Sequence, residues 1–216
     1  MRILIVSATY IEAQRIIVDL KMNKVSEFLY SSEEYETDML VTGIGSVATL
    51  FAMLTLRSLM SYDFIINIGI AGSFNSEDMF GKLVNVKSDY FGDVGLNTEK
   101  GFISVFETEF NKAYGNLINN GVIYNTSDFP AYFRQVSQCK GVSVGIPEKG
   151  LYPDADIETM EGAAFMLVCK HAKKIFLQLR SVSNIIGKTA REDWEVVTPI
   201  NNYSNLVLEF IKRQKQ

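Results

Sequence analysis

The sequence predicts an α/β fold, a single domain over 1–216 with a mixed, mostly parallel central sheet flanked by helices. Short apolar runs rich in β-branched residues alternate with helical patterns along the whole chain. The runs are apolar throughout, which is typical of strands that are buried on both faces. With 216 residues, 47% of them hydrophobic, the chain is long enough to fill one core.

The elements follow in order along the chain. Periodicity and flanking turn residues predict strands at 3–7, 39–42, 64–68, 83–87, 102–105, 141–144 and 175–181. They predict helices at 11–20, 46–60, 109–119, 159–171 and 202–213. Segments 88–101 and 124–155 are rich in turn residues and are the predicted active-site loops.

Composition argues against several classes of function. A net charge of −4 and a pI of about 5.2 argue against a nucleic-acid partner, which would need a basic surface. Cys139 and Cys169 lack the spacing of a zinc site or a disulfide framework. No apolar run has the length of a signal peptide or a membrane span, so a cytoplasmic protein without a membrane partner is expected. The single histidine, His171, ends a predicted helix, which disfavours a Ser-His-Asp triad and a histidine metal site.

Two glycine-rich turns follow predicted strands. Residues 43–48 read Gly-Ile-Gly-Ser-Val-Ala and match the G-x-G-x-x-A fingerprint of dinucleotide sites, but no acidic residue ends the next strand. A tight turn, an anion or ribose contact at a helix N-terminus, and a dinucleotide site all remain open. Residues 67–73 read as a strand that ends in small residues, which allows a flat ligand to approach or simply reflects a crowded strand end.

Glu12 fits two readings. With Thr9 it forms the Ser/Thr-x-x-Glu pattern of a capping box, which would make it structural. It also follows the first strand, at the edge of the sheet where α/β proteins place their sites, so its carboxylate could activate a water molecule.

A second polar group lies near the C-terminus. Glu158 and Glu161 open a predicted helix, where they could complement its dipole, and Glu161 could instead bind a ribose diol. Arg180 and Asn184 stand at the polar end of the last strand. The amide of Asn184 offers a donor and an acceptor in one plane, which suits the edge of a purine.

These motifs resemble those of the purine nucleoside phosphorylase and nucleosidase superfamily, and within it most closely the futalosine hydrolases of menaquinone biosynthesis. The resemblance is carried by Met-Glu-Gly-Ala-Ala-Phe at 160–165, by Arg-Ser-Val-Ser-Asn at 180–184 and by Arg-Glu-Asp-Trp at 191–194. It implies hydrolysis of an N-glycosidic bond in a small nucleoside, with no cofactor and no metal. It also implies a homodimer or a larger homo-oligomer.

The resemblance implies three catalytic residues. Glu12 would be the general base that activates water, Arg180 would help to place that water, and Asn184 would contact the N7/O6 edge of the purine.

The resemblance also implies contacts with the rest of the substrate. Ala71 and Gly72 would flank the base, Met160 would pack on the sugar, and Glu161 would bind the ribose hydroxyls. Lys188 or Arg191 could hold the benzoate of futalosine, or both could simply be solvated surface residues of a polar loop.

Asn184 departs from the related methylthioadenosine/adenosylhomocysteine nucleosidases, which have an aspartate that protonates adenine N7. An asparagine cannot supply that proton, and its donor and acceptor match a 6-oxopurine, so release of hypoxanthine is predicted. Alternatives are a methylthioadenosine/adenosylhomocysteine nucleosidase, a purine nucleoside phosphorylase and a nucleoside-binding protein without activity. A dinucleotide oxidoreductase is a more distant alternative.

Overall fold

The computed structural model describes residues 1–74, 79–99, 101–109, 114–147, 152–188 and 194–215. The strands there are β1 (Ile3–Ser7), β2 (Asn23–Lys24), β3 (Leu29–Ser32), β4 (Thr37–Val41), β5 (Phe64–Ser73), β6 (Leu83–Asp89), β7 (Gly95–Thr98), β8 (Gly101–Ser104), β9 (Ile123–Tyr124), β10 (Ser137–Ser143), β11 (Ile157–Thr159) and β12 (Ile175–Ile185). The α-helices are α1 (Tyr10–Asp19), α2 (Ser46–Thr55), α3 (Gly162–His171) and α4 (Val197–Arg213).

A ten-stranded sheet organises the described residues, in the order β11-β10-β6-β12-β5-β1-β4-β3-β2, with β9 beside β6. Strands β4, β1, β5 and β12 run parallel to one another. Strand β6 is antiparallel to β12, and β2, β3 and β9 also form antiparallel pairs. Strand β11 pairs with β10 and also with β5, so β5, β12, β6, β10 and β11 form a closed ring. The predicted α/β class with a mixed central sheet flanked by helices is confirmed.

Both faces of the central strands are buried, which explains why their sequences are apolar throughout. On β1, Ile3 and Ile5 face a cluster shared with α1 and α4, whereas Leu4 and Val6 face a second cluster shared with α2 and α3. This division follows from the alternation of side chains along a strand.

Strand β12 has an irregular register against β5 between Val182 and Asn184. Strand β11 places Glu158 opposite Gly72 of β5, and Asn184 is paired with the same glycine from the other side. The ends of three strands therefore meet at one position.

Several predicted elements need correction. The predicted helix 159–171 begins at Gly162, because Thr159 and Glu158 belong to β11, whose three residues are too few to show a periodicity. In place of the predicted helix 109–119, residues 114–118 form turns and a bend and Asn119 forms an isolated bridge with Val122, while 110–113 lie outside the described residues.

Helix α4 begins at Val197, five residues before the predicted 202. Its first turn tolerates Pro199, because the N–H groups there have no partner within the helix. The Glu195 carboxylate accepts hydrogen bonds from Val197 N at 2.8 Å and Thr198 N at 3.0 Å, so it caps this end. The short strands β2, β3, β7, β9 and β11 carry too little pattern to be predicted.

Within the described ranges no helix has the length and apolar character needed to cross a membrane.

Candidate active site

Glu12 serves the helix cap with one oxygen and reaches the sheet with the other. The capping box is complete, since Thr9 accepts from Glu12 N and Glu12 Oε2 accepts from Thr9 N at 3.0 Å. Glu12 Oε1 accepts a hydrogen bond from Ile70 N of β5 at 3.2 Å. The cap therefore fixes the rotamer and leaves Oε1 at the strand end, so both readings of Glu12 are compatible.

Arg180 lies beside this carboxylate, in the space left by Gly69. A Cβ at residue 69 would lie 3.0 Å from Glu12 Oε1 and would overlap Arg180 Nη1. Arg180 is only 2% exposed, and its Nη2 donates to Asn67 Oδ1. Its Nε has no hydrogen-bond partner among the residues that the structure describes. A buried guanidinium is thus fixed on the sheet with a donor still available.

Glu161 completes the charged cluster from the start of α3. It is the N-cap residue, yet its side chain makes no hydrogen bond to its own helix. Its Oε1 instead accepts from Gly45 N at 2.9 Å. Burial raises the pKa of this carboxyl, the charge of Arg180 and the Gly45 N–H lower it, and the nearby charge of Glu12 raises it further. Two carboxylates and one guanidinium therefore form a single electrostatic unit.

The turn at 43–46 binds the chain that precedes α3. Gly43 and Gly45 have φ angles of 88° and 93°, which residues other than glycine rarely adopt, and α2 starts directly after Gly45. Gly45 N holds the Glu161 carboxylate, and Ser46 Oγ donates to Met160 O at 3.0 Å. The anion at this helix N-terminus is the protein's own carboxylate, which gives the dinucleotide reading of the glycine pattern no support.

Asn184 has its amide oriented by a neighbour. Asn184 is buried, and its Oδ1 accepts a hydrogen bond from Ser183 Oγ at 2.8 Å. The same Ser183 hydroxyl lies 3.3 Å from Ala71 O. A Cβ at residue 72 would lie 3.1 Å from Asn184 Nδ2, so Gly72 allows the amide to lie close to β5. With Oδ1 engaged, the Nδ2 donor is the group that the amide can offer to a ligand.

The structure brings most of the predicted site residues to one edge of the sheet. Ala71 and Gly72 end β5, Met160 and Glu161 precede α3, and Asn184 lies beside Gly72. Arg191 lies outside the described residues. Sequence reasoning singled out the segments that contain Gly45, Gly69 and Ser183, but it did not predict that these residues, together with Asn67, hold this group in place. A signal existed for Asn67, a polar residue inside an apolar strand.

Comparison with known proteins identifies the family. Residues 10–213 match the model of the phosphorylase superfamily. The chain belongs to that superfamily. A 5′-methylthioadenosine/S-adenosylhomocysteine nucleosidase of Colwellia psychrerythraea is 26% identical over 200 residues, which cover 81% of this chain and 78% of that protein. The nucleosidase of the same name from Buchnera aphidicola is 26% identical over 218 residues, covering 93% and 90%.

Solved structures agree on the fold. The Colwellia nucleosidase in complex with adenine has a TM-score of 0.77 at 21% identity and covers 99% of this chain and 95% of its own. The Helicobacter pylori enzyme with butyl-thio-DADMe-Immucillin-A has a TM-score of 0.79 at 15% identity, covering 99% and 98%. The named relatives are nucleosidases, and the predicted enzyme class, a hydrolase acting on N-glycosyl bonds, is confirmed.

Proposed function

We propose that this enzyme hydrolyses the N-glycosidic bond of a purine nucleoside at the cluster of Glu12, Arg180 and Glu161. The observation that carries the proposal is the position of Glu12 Oε1, which is held at the end of β5 by Ile70 N while Oε2 is occupied by the cap. One oxygen of a rigid carboxylate is thus available to take a proton from water.

The other charged groups stabilise the transition state. As the bond between C1′ and N9 breaks, positive charge develops on the sugar and negative charge on the base. Glu161 accepts hydrogen bonds from the ribose hydroxyls, and Arg180 orients the water and balances the two carboxylates. Because Arg180 is buried, Glu161 is half-buried and both are already oriented by hydrogen bonds, little reorganisation accompanies the reaction. Met160 packs on the sugar, and Ala71 and Gly72 border the base.

The first candidate substrate is a 5′-thioadenosine nucleoside. The relatives named above are 5′-methylthioadenosine/S-adenosylhomocysteine nucleosidases, which is the alternative left open by the sequence. Their similarity over most of the chain supports this candidate over futalosine.

The second candidate is a 6-oxopurine nucleoside such as futalosine, which would place the enzyme in menaquinone biosynthesis. It is favoured by one observation, the hydrogen bond from Ser183 Oγ to Asn184 Oδ1. That bond engages Oδ1 and leaves Nδ2 as the donor, which matches the O6 acceptor of hypoxanthine and opposes the amino group of adenine. A contact of Arg191 with the benzoate of futalosine stays a prediction.

A homodimer or larger oligomer is also part of the proposal. Val47, Phe51 and Leu54 are 81%, 68% and 60% exposed, and their spacing puts them on one face of α2. An exposed apolar face of this kind is typical of an interface. Since Gly45, the N-cap residue of α2, holds Glu161, a second copy on this helix would lie next to the ribose site.

The test is chromatography of the products from methylthioadenosine, futalosine and inosine, each incubated without phosphate and then with it. Base released without phosphate supports hydrolysis. Adenine from methylthioadenosine identifies the first candidate, and hypoxanthine from futalosine identifies the second. Turnover only with phosphate would make the enzyme a phosphorylase, and binding without turnover would contradict an enzymatic role.

A further inference from the structure

The first N–H groups of α3 are capped from outside the helix. Gly162 N donates to Thr159 Oγ1 at 3.2 Å, and Ala163 N donates to Ser143 Oγ at 2.7 Å. Ser143 ends β10 and Thr159 ends β11, so the caps come from neighbouring strands. In most helices the N-cap side chain accepts the hydrogen bond that Ala163 N gives to Ser143.

Asp89 fixes the orientation of the Ser143 hydroxyl. Ser143 Oγ donates to Asp89 Oδ1 at 3.0 Å, and the same oxygen accepts from Tyr90 N at 2.8 Å. Asp89 Oδ2 accepts from Gln178 Nε2 at 3.1 Å. With its proton committed to Asp89, the hydroxyl presents lone pairs to Ala163 N and to the Thr159 hydroxyl, 3.2 Å away.

The packing at this point leaves no room for another arrangement. Asp89 and Ser143 are 0% and 1% exposed. A Cβ at residue 162 would overlap Asp89 Oδ2 and Gln178 Nε2, so only glycine fits at the first position of the helix. The cap is therefore a buried, fully packed unit directly behind Glu161.

We infer that Asp89 and Ser143 are positioning residues that keep the Glu161 carboxylate available for the ribose. Without an acceptor on Ser143, Ala163 N would be buried and unpaired, and the side chain of Glu161 is the nearest group in sequence that can cap it. A carboxylate that turned back to its own helix would leave Gly45 N and the ribose hydroxyls. This inference rests on the proposed role of Glu161.

Ser143→Ala and Asp89→Ala test the inference, with KM and kcat measured on whichever of methylthioadenosine and futalosine the wild-type enzyme cleaves. The affinity for the free base, adenine or hypoxanthine, is measured beside them by calorimetry. We expect KM to rise about tenfold in both variants, the effect of losing one hydrogen bond to a charged group, while the affinity for the base changes less than about twofold.

Asp89→Asn is the matched control. Its amide oxygen can still accept from Ser143 and Tyr90 N. Its NH₂ group can donate to Gln178 Oε1, which has no hydrogen-bond partner among the described residues, once that amide turns. We expect KM to return to within about threefold of wild type, since one neutral hydrogen bond is retained. Thermal melts of all variants identify any that fail to fold, and Asp89→Asn keeps the comparison possible in that case.

Glu161→Gln separates the two levels of the proposal. If this variant binds the nucleoside normally, the ribose role of Glu161 is wrong. If it binds weakly while Ser143→Ala and Asp89→Ala bind normally, the inference is overturned and the proposed function stands. Equal losses of nucleoside and free base in the alanine variants, or no recovery in a folded Asp89→Asn, would also overturn the inference.

Discussion

Gly45 N donates to Glu161 Oε1 at 2.9 Å and so joins the start of α2 to the residue before α3, across 116 positions of the chain. The N-terminus of a helix carries partial positive charge, which stabilises the carboxylate even though burial raises its pKa. The bond depends on the backbone conformation of Gly45, φ 93° and ψ 162°, which residues other than glycine rarely adopt. The glycine pattern at 43–46 is thereby tied to the ribose site.

Gly45→Ala should weaken nucleoside binding through backbone strain alone. A Cβ at residue 45 would meet nothing within 4 Å, so no clash contributes. We expect a stability loss of about 1–3 kcal/mol and a clear rise in KM as the N–H turns away from Glu161. Gly101→Ala is the control, because Gly101 has φ 116° and equally open space, but lies in the hairpin of β7 and β8. Equal KM values in the two variants would contradict the account.

Glu12→Gln should abolish most activity without unfolding the enzyme. Glutamine can still complete the capping box with Thr9, but it cannot take a proton from water. We expect kcat to fall about 10²–10⁴-fold, the usual contribution of a general base, with a melting temperature near wild type. Thr9→Ala reverses the pattern, since it removes the hydroxyl from the cap at a cost of about 1 kcal/mol. The backbone N–H of residue 9 and Ile70 N still hold the Glu12 carboxylate in place. Full activity in Glu12→Gln would refute the assignment.

Asn184→Asp should shift the enzyme toward adenine nucleosides. An aspartic acid at this position can protonate N7, and its oxygen no longer opposes the 6-amino group. We expect kcat/KM for methylthioadenosine to rise relative to that for futalosine or inosine by about tenfold or more. Ser183→Ala, which frees the amide to turn, should reduce the preference for the 6-oxopurine and leave kcat on the better substrate nearly unchanged. An unaltered ratio in both variants would show that Asn184 does not read the base.

The stability of the enzyme should fall as the pH rises from about 4 to about 6. Burial raises the pKa of Asp89 from 3.8 to about 6, against the lowering effects of Gln178, Ser143 and Arg180. Between these values the folded state keeps a proton that the unfolded state has released, so a rise in pH favours unfolding. Asp89→Asn does not titrate. The free energy of unfolding of this variant minus that of wild type, both measured in urea, should therefore increase across this pH range by up to roughly 3 kcal/mol. Parallel curves for the two proteins would contradict the assignment.

Phe51→Glu should disrupt self-association. Phe51 is the middle residue of the exposed apolar face of α2, and a charge there would be buried without a partner in a dimer. We expect light scattering to give a smaller mass for this variant than for wild type. Val18→Glu is the control, because Val18 is 62% exposed but lies on α1, away from the apolar face of α2. A monomeric wild type, or an unchanged oligomer in Phe51→Glu, would reject this interface.

The sequence predicted what depends on local pattern. Strand β1 was predicted with its observed bounds, because a strand buried on both faces is apolar throughout. The capping box of Glu12 is likewise a local signal. The support behind Glu161 carries no such signal, since Asp89, Ser143 and Gly162 come from separate elements that meet only when the sheet closes into a ring.

Strand β11 likewise could not be predicted from local sequence. Its three residues pair with β10 and β5, and this pairing, not their propensity, makes them a strand. The prediction of a helix from Thr159 onward therefore failed. The prediction placed Glu158 at a helix terminus, whereas the structure places it in β11. Glu161 still lies at the start of α3, as its N-cap residue.

The central claim is that Glu12 activates a water molecule that attacks C1′ of a purine nucleoside. Its most direct test is turnover in ¹⁸O-labelled water without phosphate, with mass analysis of the sugar product from wild type and Glu12→Gln. The account predicts one ¹⁸O atom on C1′ of the sugar released by wild type, and almost no product from Glu12→Gln. Unlabelled sugar 1-phosphate formed only when phosphate is added, or equal labelled product from Glu12→Gln, would contradict it.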